Sequence, residues 1–459
     1  MSTLATVAEQ TGGRLSGEDA SFDAVSTDTR SLQPGQLWFA LQGERFDAGD
    51  FIDQAATLGA AGAVVAKHQD AAIPQIEVAD TRKALGDFAG AWRRSKDIAA
   101  VGVTGSNGKT TVKEMVAAIL RMAFGSNEAV LATKGNLNND IGLPLTVLEL
   151  RDEHRAAVFE MGASAGGEIE YLVNIAAPQV GIVTNAAAAH LEGFGSLAGV
   201  ASAKGEMFTG LPEDGVAILN RDDAFYEYWA ASCRHAGQIT FGEHLASDFA
   251  ASDIEEFVAT GTIRFLLRTP LGTVPVVLPM MGRHNVLNAA AAAAAAVSCG
   301  VDLDAVVAGL ANVANVSGRL QPVVSANGMQ VFDDTYNANP NSVAAAISFL
   351  ATRAAPRWLV LGDMGELGED AEKMHFETGV KAAEAGLERL MCVGELSRQT
   401  AAGWDSVRSD VAEWFANTDE LSAALIATAE ADASVLVKGS RFMGLERVVA
   451  AVLKAGKES

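Results

Sequence analysis

The run Val101-Gly102-Val103-Thr104-Gly105-Ser106-Asn107-Gly108-Lys109-Thr110-Thr111 constrains the fold more than any other stretch of the chain. A short apolar strand passes into a glycine-rich turn and then into a helix, the order that suits a nucleoside triphosphate. Gly105 and Gly108 have no Cβ, so backbone N–H groups around Ser106 and Asn107 can curl about phosphate oxygens. The helix starting near Lys109 adds the positive end of its dipole. Lys109 is expected to neutralise the β- and γ-phosphates and Thr110, followed by Thr111, to offer a hydroxyl to Mg²⁺. The usual spacing wants glycine five residues before Gly108, where this chain has Val103. Its glycines fall instead as GxxGxxGKTT, an unusual subtype. A glycine turn that merely caps a helix is the competing reading.

A chain of 459 residues exceeds what one hydrophobic core usually supports, so several domains are expected. With 34 basic against 57 acidic residues the net charge is −23, which argues against nucleic-acid or anionic-membrane partners. Anionic ligands must then be held by local cations. Cys233, Cys299 and Cys392 share no metal-like spacing and read as buried free thiols. The N-terminus lacks a basic region followed by an apolar core, and no segment reads as a membrane span. A cytoplasmic monomer is expected.

Along the chain, Leu37 to Leu41 and Ala63 to Ala66 read as strands with a helix from about Phe51 between them. Val101 to Thr104, Ala157 to Phe159, Val180 to Thr184 and Val216 to Leu219 follow, each leading into a turn or helix start. That βα repetition implies a mostly parallel sheet with helices on both faces and ligands at the carboxyl ends of its strands. Phe249 to Leu278 reads as antiparallel excursions and Asn288 to Val297 as an alanine-rich helix. From about Val313 the pattern restarts, with strands at Trp358 to Leu361, Leu390 to Val393 and Val435 to Val437. The reading is an α/β chain of three domains, 1–83, 84–312 and 313–459.

Further motifs occur in a fixed order: KGNLNNDIGLPLT from Lys134, EMGAS from Glu160, NAAAAHLEGFGS from Asn185, AKGE from Ala203, GRHNVLNA from Gly282, SGRL from Ser317 and DDTYNANPNS from Asp333. In this order the chain resembles the Mur ligases, ATP-dependent peptide-forming ligases that build the peptidoglycan precursor. STDTR, DDTYNANPNS, LGDMGELG and KGSRFMGLE are most similar to the MurF type, whose members add D-alanyl-D-alanine to UDP-N-acetylmuramoyl-tripeptide. The resemblance implies ATP and Mg²⁺, an acyl-phosphate intermediate, a small N-terminal UDP-binding domain, a central ATPase-like sheet and a Rossmann-like C-terminal domain. The Asp-Asn-Pro-Arg signature of diaminopimelate-adding relatives is absent. Such amino-acid ligases, the related folylpolyglutamate ligases, or a nucleotide-dependent switch module are the alternatives.

By the same resemblance Glu160, His190 and Lys204 join Thr110 at metal, Lys204 as a carbamate. Glu160 ends a predicted strand at the edge where an open sheet places ligands, which itself favours the metal over a surface carboxylate; taken alone, His190 reads as a structural histidine and Lys204 as a solvated charge. Asn285 and Asn288, with His284, are expected at the adenine, although Asn285 could instead cap the alanine helix. Arg319 is expected to reach the γ-phosphate and Asp334 the ribose, unless both are interdomain salt-bridge partners. Ser26, Thr27, Asp28, Arg30 and the loop Gly43 to Asp47 are assigned to the uridine diphosphate, Asp28 either orienting Arg30 or reading the ribose or uracil. Asn136, Asn138 and Asn139 are assigned to the rest of that substrate, or else only to a turn. Tyr336, Asn337, Asn339, Asp363 and Glu366 are assigned to the dipeptide, with Lys438 a candidate for its carboxylate.

Overall fold

The computed structural model describes residues 1–43, 47–314, 316–325, 328–428 and 430–455. Strand Ala99–Thr104 is its pivot. Val101 and Val103 enter one core and Ala100 the other, as the two-residue period of a strand requires. Its parallel neighbours are Ala156–Glu160 and Val180–Val183, which set Val158 and Val180 on either side of Val101. The nine-stranded sheet runs Gly272–Leu278, Thr262–Thr269, Phe249–Phe257, Gly237–Gly242, Val216–Asn220, Val180–Val183, Ala99–Thr104, Ala156–Glu160 and Val130–Ala132. It is antiparallel only where Thr262–Thr269 pairs with its two neighbours. From Ala99–Thr104 the chain crosses to the edge strand Val130–Ala132, returns through Ala156–Glu160 and continues on the other side at Val180–Val183. The phosphate loop therefore lies where strand order reverses, the place at which such sheets collect ligands.

Helices Lys109–Phe124, His284–Ser298 and Leu303–Ala311 cover one face of this sheet; Gly142–Leu148, Glu168–Ala176 and Leu197–Thr209 cover the other. Ala289 to Ala296 are all fully buried, because a helix with nothing beyond Cβ can press its backbone between a sheet and a neighbouring helix. A five-stranded sheet, Arg14–Ser16, Gln75–Glu77, Gly62–Val65, Leu37–Phe39 and Val25–Ser26, precedes the central one. A six-stranded sheet follows it, in the order Gln321–Val324, Gln330–Asp334, Ser434–Lys438, Arg357–Gly362, Arg389–Val393 and Glu413–Phe415.

The short edge strand Val130–Ala132 and the polar-led Gly237–Gly242 escape the pattern reading, since neither offers an apolar run long enough to register. Position 83/84 falls inside helix Thr81–Arg94, whose buried Leu85, Phe88 and Ala89 join Phe22 and Phe39 of the first unit to Phe159 and Leu172 of the second. The first two units thus share a continuous core. All three cysteines are free, and burial pushes the Cys233 and Cys299 thiols up to about 11. Among the described residues no helix is long and apolar enough to cross a membrane.

Helix Leu303–Ala311 lies against the phosphate-loop helix so closely that a Cβ on Gly309 would come 2.4 Å from Ile119 Cα. Gly309→Ala should therefore lower stability by about 1–3 kcal/mol through overpacking, even after gaining up to about 1 kcal/mol of helix propensity. The urea midpoint reports this, and an unchanged or higher midpoint would contradict the packing.

Candidate active site

The phosphate loop is lashed to the segment after strand Val180–Val183. Thr184 Oγ1 and Asn185 Nδ2 donate to the Asn107 carbonyl at 2.6 and 3.1 Å, and the Asn107 amide donates to Asn185 Oδ1 at 3.0 Å. Gly105 and Gly108 are required here: their φ values are 138° and 84°, and added Cβ atoms would fall 1.9 Å from Thr184 Oγ1 and 2.5 Å from Asn288 Oδ1. No side chain caps the helix at Gly108, so its first amides remain available to an anion. Lys109 Nζ curls over the loop, donating to the Gly105 and Ser106 carbonyls at 2.7 and 3.2 Å. Burial pushes its pKa down and Arg319 adds to that, while the Glu160 carboxylate pulls it back up.

The loop opens into a cleft of about 1360 Å³, large for a single small-molecule site. Ser106 to Lys109 and Thr111 line it, as do Glu160, His190, His284, Asn285 and Asn288. From the third unit come Arg319, Asp334, Tyr336, Asn337, Asn339 and Lys438. Arg319 stacks over the Tyr336 ring at 4.3 Å and donates to Thr110 Oγ1 at 3.1 Å. Asn339 Nδ2 donates to Asn107 Oδ1 at 2.8 Å. Asn285 does not cap the alanine helix: its Oδ1 accepts from Asn288 Nδ2 at 3.0 Å and its own amide donates to the Met281 carbonyl at 2.7 Å. The two amides are thereby fixed beside Gly108.

Glu160 is buried at the end of its strand, with its backbone amide donating to Thr133 Oγ1. Its Oε1 accepts from Asn138 Nδ2 at 2.8 Å, while Oε2 is buried with no hydrogen-bond partner among the described residues. An orphaned carboxylate oxygen of this kind fits a hard divalent cation. His190, in a left-handed conformation at φ 53°, touches the Glu366 carboxylate through Nδ1, and burial lowers its pKa. Lys204 lies behind the wall, 2 % exposed, donating to the Ala163 carbonyl at 3.3 Å and facing the Phe194 ring. Burial, with repulsion from Lys109, brings its pKa down to about 7. Among the described residues no three His, Cys, Asp or Glu side chains form a metal-holding group, so Glu160 and His190 need a further donor.

Several expected residues stand elsewhere. Asp363 is turned away from the cleft: its carboxylate accepts from the Ser397 amide at 2.7 Å and packs on Gly394, because the end of strand Arg357–Gly362 feeds it into the third unit's interior. Lys438 is buried and spent, bound to Asp334 Oδ2 at 2.7 Å and the Asn337 carbonyl at 2.8 Å. Asn136 and Asn138 line the cleft; so does Asn139, though its Oδ1 serves the turn by accepting from the Gly142 amide at 2.8 Å. Ser26, Thr27, Asp28, Arg30 and Gly43 lie off the cleft lining, with Arg30 held by Asp28 and residues 44–46 outside the described residues. Sequence reasoning missed Thr184, Asn185 and Asn220, although their place at strand carboxyl ends was a usable signal. It also missed Arg82, Asp140 and Tyr171.

Residues 103–296 match the Mur ligase middle domain and residues 318–441 the Mur ligase, glutamate ligase domain. The chain is 46 % identical to the UDP-N-acetylmuramoyl-tripeptide–D-alanyl-D-alanine ligase of Escherichia coli K12, with 99 % of each chain covered. It superposes on the UDP-N-acetylmuramoylalanyl-D-glutamyl-2,6-diaminopimelate–D-alanyl-D-alanyl ligase of Acinetobacter baumannii with a TM-score of 0.86, at 35 % identity and 98 % coverage of both. It also superposes on MurF of Thermotoga maritima in complex with ADP, with a TM-score of 0.83, at 25 % identity and covering 95 % of this chain and 98 % of the other. Phosphate loop, orphaned carboxylate and matching relatives converge: the chain belongs to the Mur ligase family, and within it to the MurF type.

Proposed function

We infer that the chain joins D-alanyl-D-alanine to UDP-N-acetylmuramoyl-tripeptide, converting ATP to ADP and phosphate. An identity of 46 % along the full length of a ligase of that name carries the reading, and the cation-lined cleft supports it. The tripeptide carboxylate attacks the γ-phosphorus and ADP departs, leaving an acyl phosphate; the dipeptide amine then attacks the carbonyl, loses a proton and expels phosphate. Crowded anions dominate both steps. The uncapped first amides of the helix after Gly108 take the phosphates, with Gly105, Ser106 and Asn107 shaping the loop around them, Lys109 exchanges its loop carbonyls for phosphate oxygens, and Arg319 neutralises the γ-phosphate from the third unit. Asn285 and Asn288, with His284, take the adenine and Asp334 the ribose. Ser26, Thr27, Asp28, Arg30 and Gly43 take the uridine diphosphate, with Asn136, Asn138 and Asn139 along the peptide. Tyr336, Asn337, Asn339 and Glu366 surround the dipeptide.

Thr110, Glu160, His190 and Lys204 would hold Mg²⁺, which would supply Lewis-acid neutralisation of the crowded negative charge there. For this Lys204 carries a carbamate. An amine with pKa about 7 is about half free base at neutral pH, and that fraction can attack CO₂, forming an N–C bond and releasing a proton. The buried cation that Lys109 repels thereby becomes an anion. Three functional units, 1–83, 84–312 and 313–459, belong to this reading, as does work as a cytoplasmic monomer.

With UDP-N-acetylmuramoyl-tripeptide and Mg·ATP, D-alanyl-D-alanine should trigger ADP release while free diaminopimelate, lysine and glutamate do not. Efficient use of a free diamino acid on the muramoyl-dipeptide nucleotide would overturn the acceptor. Lys204→Ala should lose about two or more powers of ten in rate, as other electrostatic stabilisers do, and recover part of it with small added carboxylates. No recovery beside an intact fold would count against an anion at this position. In CO₂-free buffer Lys204→Met should exceed the wild type in stability at pH 6. The gap should shrink as pH rises through 7 toward 10, because the folded wild type sheds its proton near 7 and the unfolded lysine keeps it to about 10.4. Urea midpoints across that range test the sign.

A further inference from the structure

One wall of the cleft carries an ion pair that the reaction as described leaves idle. Arg82, in the first turn of helix Thr81–Arg94, meets Asp140 with 3.0 Å between Nε and Oδ2. Both side chains line the cleft and both stay accessible, at 51 % and 38 %. Neither is needed to finish the helix, since Asp80 already accepts from the Arg82 and Lys83 amides at 2.8 and 2.9 Å. Asp140 stands two residues beyond Asn138, whose side chain holds Glu160. The pair is thus tied to the reacting end of the cleft by at most about 7 Å of chain.

We propose that Arg82 and Asp140 read the far end of the third peptide residue and select one that ends in an ammonium and a carboxylate over one that ends in an ammonium alone. This rests on the reaction assigned above. The 2,6-diaminopimelate in the name of the Acinetobacter baumannii ligase has such an end. Four carbon–carbon bonds separate its α-carbons, a reach of about 5 Å, comparable with the step from Asn138 to Asp140. The zwitterionic end exchanges partners with the pair. Its carboxylate takes the guanidinium, which suits a planar two-pronged acceptor, and its ammonium takes Asp140. No charge is left over, and an ion pair this exposed is held weakly enough to open. A lysine end supplies only the ammonium and strands Arg82.

Calorimetric titration of the intact protein with the diaminopimelate and lysine forms of UDP-N-acetylmuramoyl-tripeptide tests this without turnover. The wild type should bind the diaminopimelate form at least about tenfold tighter, the worth of one charge-assisted hydrogen bond. Arg82→Gln should collapse that ratio toward one by weakening the diaminopimelate form, and Arg82→Glu should invert it. A wild type without preference, or an Arg82→Gln variant that weakens both forms equally or neither, overturns the proposal while the ligase reading stands. A wild type that binds ATP but neither tripeptide overturns the ligase reading, and this proposal with it.

Discussion

Everything at the site depends on how closely two glycines let the phosphate loop approach its neighbours. Thr184 fills the space beside Gly105 and Asn288 the space beside Gly108, and the Ser106 and Asn107 amides are tied to Asn185, so the loop is held in place and the uncapped helix amides after Gly108 are the ones left for an anion. That rigidity matters because the chain is strongly acidic. It attracts anions through no general field, so binding rests on a few cations and dipoles fixed at short range. Lys109 itself is fixed by the loop, its ammonium held on the Gly105 and Ser106 carbonyls.

Strain gathers where the second and third units meet. His190 and Glu366 both take left-handed backbone conformations, at φ 53° and 61°, and their side chains touch. Leu320, next to Arg319, does the same at φ 53°. Each such residue costs on the order of 1–3 kcal/mol and survives because its surroundings over-determine it. Here the surroundings are the two walls of one cleft.

The sequence made the phosphate loop, the parallel strands and the alanine helix legible, because each announces itself through local spacing. Its motifs also pointed to Glu160 and Arg319. What it hid were facts of direction and partnership. Asp363 sits in a motif read as surrounding the dipeptide, yet at the end of its strand the carboxylate turns inward and accepts from the Ser397 amide. Lys438 reads as a free cation and is consumed by Asp334, a hundred residues away in the chain but opposite it in the register of adjacent strands. The boundary near residue 83 reads as a change of pattern, but the helix there belongs to one core that runs through both units, and such continuity is a property of packing that no local window contains.

That shared core sets how the chain can come apart. The first and second units are joined by buried aromatic and aliphatic side chains running from Phe22 and Phe39 through Phe88 to Phe159. The third meets the second through Met281 and mainly through polar links, Arg319 to Thr110, Asn339 to Asn107, Glu366 to His190 and Arg353 to Glu256. Water can replace hydrogen-bond partners but not apolar ones. A molecule with one oily joint and one wet joint parts at the wet one, so the wall that carries Tyr336 and Asn337 can swing away while the asparagine loop and the phosphate loop keep their places.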